Sequence, residues 1–167
     1  MGASPDDPVL SVGICHHRGR ELIDACLKSL AKSVGVSFEV YVITSDIDYH
    51  RAAHIGGAGS PPGGDATAKL FVCYEEGGPA HKRNVVARYA RGEYLVYLDD
   101  DTEVSPYTLY NFWQGLQERP KAGMLFSRIY NGERRSELDD CGSWLTPTGF
   151  LYARASNHTI SHDELTR

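Results

Sequence analysis

Apolar positions along this chain fall into two spacings. Nearly continuous apolar runs at 9–14, 38–44, 69–74 and 94–98 predict strands, 38–44 a buried one and 94–98 one buried on both faces. Between the first two runs, Leu22, Ile23, Cys26, Leu27 and Leu30 share one helical face and predict a helix over 20–32. Strand, helix and strand joined by short links form a βαβ unit, which implies a parallel pair. Pro79 opens a second helix that runs to Arg91 through Val85, Val86, Tyr89 and Ala90, with Gly92 as its C-cap. Ser105 as N-cap and Pro106 at the first helical position predict a third. Leu109, Phe112, Trp113 and Leu116 form its apolar face, and Pro120 ends it. A further strand over 123–130 leads to the Asn131-Gly132 turn and a polar stretch over 133–137. The segment 138–152, holding Trp144 and Phe150 between turn residues, reads as a small hairpin.

Three stretches lack such a period. Residues 1–8 are polar and proline-bearing and read as a frayed start. Over 49–67 the residues Gly56, Gly57, Gly59, Pro61, Pro62, Gly63 and Gly64 predict a long flexible loop. Residues 154–167 form a poorly defined tail. At 167 residues the whole chain, 1–167, reads as one domain. Its apolar content of 41% and charged content of 23% are those of a globular protein. A net charge of −5 speaks against nucleic acid as a partner. Neither a membrane span nor a secretory signal is legible. Cys15, Cys26, Cys73 and Cys141 form no CxxC pair, so reduced thiols and a cytoplasmic location are expected.

Candidate chemistry gathers at the end of the most apolar strand, where Asp99, Asp100 and Asp101 stand in sequence. The carboxyl end of a buried strand is where open α/β sheets hold ligands. Two unit charges ~4 Å apart repel by roughly 4 kcal/mol near a protein surface. The triplet therefore either splays into water, as an acidic turn before a helix, or takes a hard cation such as Mg²⁺ or Mn²⁺. The helix from Pro79 begins with His81, Lys82, Arg83 and Asn84 after Gly77-Gly78. A helix N-terminus with two cations suits an anion, although the same residues fit ordinary exposed helix charges. His16-His17 follow the first strand, as loop residues or at a ligand crevice; His158 and His162 have i, i+4 spacing but no third ligand nearby. No GxxxxGK[ST], strand-borne GxGxxG or GxSxG is present.

The segment GPAHKRNVVARYARGEYLVYLDDDTEVSP resembles the centre of family 2 glycosyltransferases, which have the GT-A fold. It joins Gly78-Pro79-Ala80, Arg83-Asn84 and Ala90-Arg91-Gly92-Glu93-Tyr94 to a DXD-type acidic motif. LSVGICHHRGRELIDACLKSL and FEVYVIT are similar to the family's first strand, first helix and second strand, and SRIYNG with LDDCGSWL to the segment after the acidic motif. The resemblance implies an α/β, Rossmann-like, mostly parallel sheet flanked by helices. It further implies a nucleotide-sugar donor, usually a UDP- or dTDP-sugar, a divalent metal (Mg²⁺ or Mn²⁺), and inverting displacement onto an acceptor hydroxyl. Carried over by position, Asp101 would be the metal ligand, with Asp99 and Asp100 on ribose, sugar or metal. Cys15 and His16 stand where the family's Pro-Thr meets the base. Asp46 lies about a residue from the base-reading acid, and Lys82 and Arg83 would face diphosphate or base. The family's general base, an acid in a Glu-Asp-type motif, has no clear copy; Asp163 and Glu164 are its weak candidates. The chain thus reads as a donor-binding portion of the fold, truncated at its C-terminus. A silent nucleotide-sugar-binding domain and, more weakly, a Mg²⁺-dependent phosphoacceptor domain are the alternatives.

Overall fold

In the computed structural model, residues 8–55, 68–132, 134, 137–153 and 158–159 are described. The apolar runs become β1 (Leu10–His16), β2 (Phe38–Thr44), β3 (Lys69–Tyr74) and β4 (Tyr94–Asp99). Helices α1 (Glu21–Leu30), α2 (Ile47–Ile55), α3 (Pro79–Tyr89) and α4 (Thr108–Glu118) alternate with them or follow them. The four strands form one parallel sheet in the order β3-β2-β1-β4. Alternation along the strands splits the core in two. Leu10, Val12, Ile14, Val40, Val42 and Val96 cluster with Ile23, Cys26, Leu27 and Leu30 of α1 and Leu109 of α4. Tyr41 and Ile43 cluster with Val85 and Val86 of α3.

Gly13 sets how closely α3 can lie on β1. A Cβ there would stand 2.9 Å from both Val86 methyls and 3.0 Å from Tyr97 Cδ1. Gly13→Ala is therefore expected to destabilise by about 1–3 kcal/mol, as overpacking does. Urea unfolding checks this, and an unchanged midpoint would show that α3 gives way freely.

A polar network closes the amino end of the sheet. The Glu39 carboxylate, 1% exposed, accepts from Ser11 Oγ at 2.7 Å and from Arg91 through its backbone N–H (2.9 Å), Nε (3.1 Å) and Nη2 (2.6 Å). Gly92 N–H donates to Ser11 Oγ at 2.9 Å. Gly92 is not the C-cap of α3, contrary to the sequence expectation, because Ala90 occupies that position. Glycine is needed at 92 for space: a Cβ would meet the Leu10 and Ser11 backbone at 2.6 Å.

Three other expectations change. Residues 47–55 are helical where a loop starting at 49 was expected, because Asp46 caps α2: its Oδ1 accepts the N–H groups of Asp48 and Tyr49, both at 3.0 Å. The glycine-rich remainder, 56–67, lies outside the described residues. β4 is an edge strand and is not buried on both faces: Val96 is buried, but Leu95 and Tyr97 are 42% and 37% exposed. Within 123–130 only β5 (Ile129–Tyr130) is strand. An apolar run gives strand propensity but does not supply a partner, and 124–128 has no ladder partner among the described residues. Regular α4 starts at Thr108, and the link to Ser105 runs the other way from an N-cap: Thr108 Oγ1 accepts the Ser105 N–H at 3.0 Å and meets its Oγ at 2.9 Å.

The chain divides into two compact units, Met1–Glu118 and Arg119–Arg167. In the second, β5, β6 (Glu137–Asp140) and β9 (His158–Thr159) form an antiparallel sheet in the order β5-β6-β9. The expected hairpin is β7 (Ser143–Leu145) against β8 (Leu151–Ala153). Thr146 and Gly149 close its turn, Gly149 at φ 86°. No helix among the described residues is long and apolar enough to cross a membrane.

Candidate functional site

Strands are added on one side of β1 up to β3, and β4 then pairs on the other side, so the order reverses between β1 and β4. Ligands of open parallel sheets bind beyond the carboxyl ends at such a reversal. Cys15 and Asp99 are register partners across it. The start of α3 comes to the same edge, with Cys15 Sγ 3.6 Å from the Pro79 carbonyl oxygen. Burial pushes the Cys15 thiol up; Arg83 and Lys82 pull it down, and Asp99 and Asp100 raise it again. The thiol therefore sits between a cationic flank and an acidic one.

The acidic triplet splays. Asp99, its side chain 68% exposed, pairs with Arg83 Nη2 at 2.9 Å. Asp100 is half-buried and Asp101 exposed. With Glu103 their charges act on the Cys26 thiol, which burial first and these acids next push up to about 12. Thr102 N–H closes a turn on the Asp99 carbonyl, and Val104 N–H donates to Ser29 Oγ at 3.0 Å, anchoring the loop to α1. Among the described residues no three His, Cys, Asp or Glu side chains converge to hold a metal.

The cationic flank is less open than the sequence suggests. Arg83 is engaged by Asp99, and Lys82 is buried, its Nζ donating to the His16 carbonyl at 2.6 Å and to Ser45 Oγ at 2.9 Å. His16, 1% exposed, presents no free ring nitrogen: Nε2 donates to the Gly19 carbonyl at 2.6 Å, and Nδ1 pairs with Thr44 Oγ1 at 2.9 Å. The Tyr49 ring lies 4.6 Å from it, centroid to centroid. His16 is thus a buried tie at the end of β1, while the exposed His17 reaches Ser45 Oγ at 2.9 Å.

Asp46 lies at the carboxyl end of β2 and works first as the cap of α2. The Tyr49 N–H holds its carboxyl below the usual carboxylate range, against desolvation and with help from Asp48 N–H, His16 and Arg20. Oδ2 has no partner among the described residues. Asp46→Ala is expected to speed hydrogen exchange of the α2 amides severalfold with little change in global unfolding; unchanged exchange would deny the cap. Thr44, Gly19 and Ser45, which hold the His16 ring and the Lys82 ammonium, were not read as site residues. A Thr-Ser-Asp run straight after a buried strand was the local signal for Thr44 and Ser45. Asp163, Glu164 and His162 lie outside the described residues, and His158 is in a strand, not a helix.

Three comparisons bear on this arrangement. The family described as Glycosyl transferase family 2 matches residues 11–164. An uncharacterized protein of Mycobacterium tuberculosis (strain CDC 1551 / Oshkosh) is 27% identical over 154 residues, 92% of this chain and 44% of that protein. The structure of S. aureus TarS 1-349 in complex with UDP-GlcNAc superposes with a TM-score of 0.59 at 24% identity, over 75% of this chain and 36% of that 1-349 chain. Mannosyltransferase PcManGT from Pyrobaculum calidifontis, in complex with GDP-Man and Mn²⁺, gives 0.54 at 22% identity, over 77% of this chain and 38% of its own. This chain thus spans less than half the length of these relatives, and at such identities the structural likeness is one of fold. The sheet and its flanking helices are the GT-A, Rossmann-like arrangement, and the chain belongs to glycosyl transferase family 2.

Proposed function

We propose that this chain binds a nucleotide-diphosphate sugar at the carboxyl end of β1 and β4 and serves its transfer, with inversion, to an acceptor hydroxyl, assisted by Mg²⁺ or Mn²⁺. The observation that carries this reading is the Cys15–Asp99 pairing at the strand-order reversal, with α3 and Arg83 on one flank and Asp100 and Asp101 on the other. Relatives of the same fold solved with UDP-GlcNAc and with GDP-Man and Mn²⁺ support the donor class. The nucleoside would lie toward Cys15, His16 and Asp46, a UDP- or dTDP-donor being what the family resemblance implies. No side chain caps α3, so its first N–H groups, with Arg83, suit diphosphate oxygens.

The residues present fit a divalent cation of one kind. Mg²⁺ and Mn²⁺ sites of this type use one or two carboxylates and take the remaining oxygens from phosphates and water. Asp101 is exposed and uncommitted among the described residues, and Asp99 keeps Oδ2 beside the Oδ1 that Arg83 uses. These two would hold the cation, which would offset the charge of the departing diphosphate. Because the carboxylates do not converge by themselves, the donor completes the site. Inversion also needs a base for the acceptor proton, and its weak sequence candidates, Asp163 and Glu164, are outside the described residues. Without a base the chain would bind donor silently. The phosphoacceptor alternative lacks an acid at the end of β1, where Cys15 and His16 stand. Four free cysteines support a reducing, cytoplasmic setting.

Calorimetric titration with UDP, dTDP and GDP, each with and without Mn²⁺, tests the proposal. One of them should bind in a metal-dependent manner; a folded sample that binds none would overturn it. Release of sugar from the matching donor then separates a transferase from a silent domain.

A further inference from the structure

Buried charges in proteins are normally paired. Lys82 is 3% exposed, and among the described residues no carboxylate lies within ion-pair distance of its ammonium: Asp99 is taken by Arg83, and Glu39 by Arg91. Two of its three N–H donors are used, on the His16 carbonyl and Ser45 Oγ. Lys82 sits three and four positions before Val85 and Val86, the residues through which α3 meets the sheet. An apolar side chain at 82 would simply extend that stripe. The chain instead drives a cation with no compensating carboxylate among the described residues into the edge formed by the ends of β1 and β2.

We propose that Lys82 is a positioning residue for the nucleotide donor, its charge left unbalanced in the empty protein and balanced by the bound anion. This rests on the donor-site reading above and adds a role to it. The ammonium fixes the His16 carbonyl, at the end of β1, and the hydroxyl of Ser45, the residue after β2. The same charge opposes folding while the site is empty and favours the complex once a diphosphate has entered. Stability and binding are therefore in opposition at this one position.

The test compares wild type with Lys82→Met, which keeps length without charge, and Lys82→Gln, which keeps hydrogen bonding without charge. Thermal midpoints are measured without nucleotide, and affinities for UDP, dTDP and GDP are measured with Mn²⁺. Lys82→Met should raise the nucleotide-free midpoint by about 2–4 °C, and both variants should bind at least tenfold more weakly. A lower midpoint in Lys82→Met would make Lys82 a structural tie and overturn the inference, as would unchanged affinity in either variant. Wild type that binds none of the nucleotides would overturn the donor-site reading and this inference together. The wild-type titration alone tells that outcome from a failure at Lys82.

Discussion

Replacing Glu39 with alanine is expected to remove about 3–5 kcal/mol of folding stability, the usual effect of taking away one partner of a buried ion pair. For a chain of this size that is a fall of roughly 10 °C in thermal midpoint. The Glu39 carboxylate is where β2, β1 and the end of the α3–β4 link meet. Its oxygens take the Ser11 hydroxyl and three Arg91 donors, and Ser11 Oγ in turn receives the Gly92 N–H. Alanine would leave the Ser11 hydroxyl proton and the three Arg91 donors without this acceptor at once. Arg91 is 44% exposed and can recover water for its guanidinium, which favours the lower end of the range. The Ser11 hydroxyl is buried and has no such recourse.

The same network sets a pH dependence. Burial alone would raise the Glu39 carboxyl; the Arg91 N–H, the Arg91 guanidinium and the Ser11 hydroxyl outweigh it and hold the group below the usual carboxylate range. A carboxyl that is depressed in the folded state contributes stability above its unfolded value, and that contribution is lost as pH falls through the folded one. Wild type should lose this contribution below about pH 4.5, whereas the alanine variant should show a shallower acid slope. Urea unfolding at neutral and acid pH checks both. An alanine variant within 1 kcal/mol of wild type would mean that water replaces the carboxylate without loss.

Strands with dense apolar runs were legible in the sequence, and β2 and β3 have the bounds that those runs predict. What escaped depends on partners distant in the chain. Glu39 meets Ser11 28 residues away and Arg91 52 away, and Lys82 meets the His16 carbonyl 66 away. No local spacing announces such pairs, so Lys82 read either as an anion contact or as an exposed helix charge, and His16 either as a loop residue or as one at a ligand crevice, neither reading foreseeing their burial. Gly92 was misread because a glycine after a helix signals a C-cap, while its actual requirement comes from the backbone of β1. α2 was missed because glycine just beyond it dominated the composition, although Asp46 carried the capping signal. The candidate site was legible as residue types at strand and helix ends. Its division into committed and free groups was not, because that depends on which side chains pair across the sheet.

That division separates the acids of the triplet. Asp99 is committed to Arg83 in an exposed pair, which contributes less than about 1 kcal/mol to stability. Asp101 has no partner among the described residues, so Asp101→Ala should leave unfolding within about 0.5 kcal/mol of wild type. Removing groups that only support metal ligands lowers metal affinity 10–100-fold. Loss of Asp101, the proposed ligand, should therefore weaken metal-dependent nucleotide binding on the order of 100-fold or more. Mn²⁺ alone should bind poorly to wild type, because the described carboxylates do not converge without a diphosphate. Titrating nucleotide at low and high Mn²⁺ makes the distinction: wild type should gain affinity with metal, and Asp101→Ala should respond little. Arg83→Ala should free Asp99 for the cation while removing a donor from the diphosphate, so its metal dependence should persist at weaker overall affinity. An Asp101→Ala protein that still binds nucleotide in a metal-dependent way would move the ligand role to Asp99 or Asp100. Loss of metal dependence in Arg83→Ala instead would mean that the ion pair, and not the free carboxylate, organises the site.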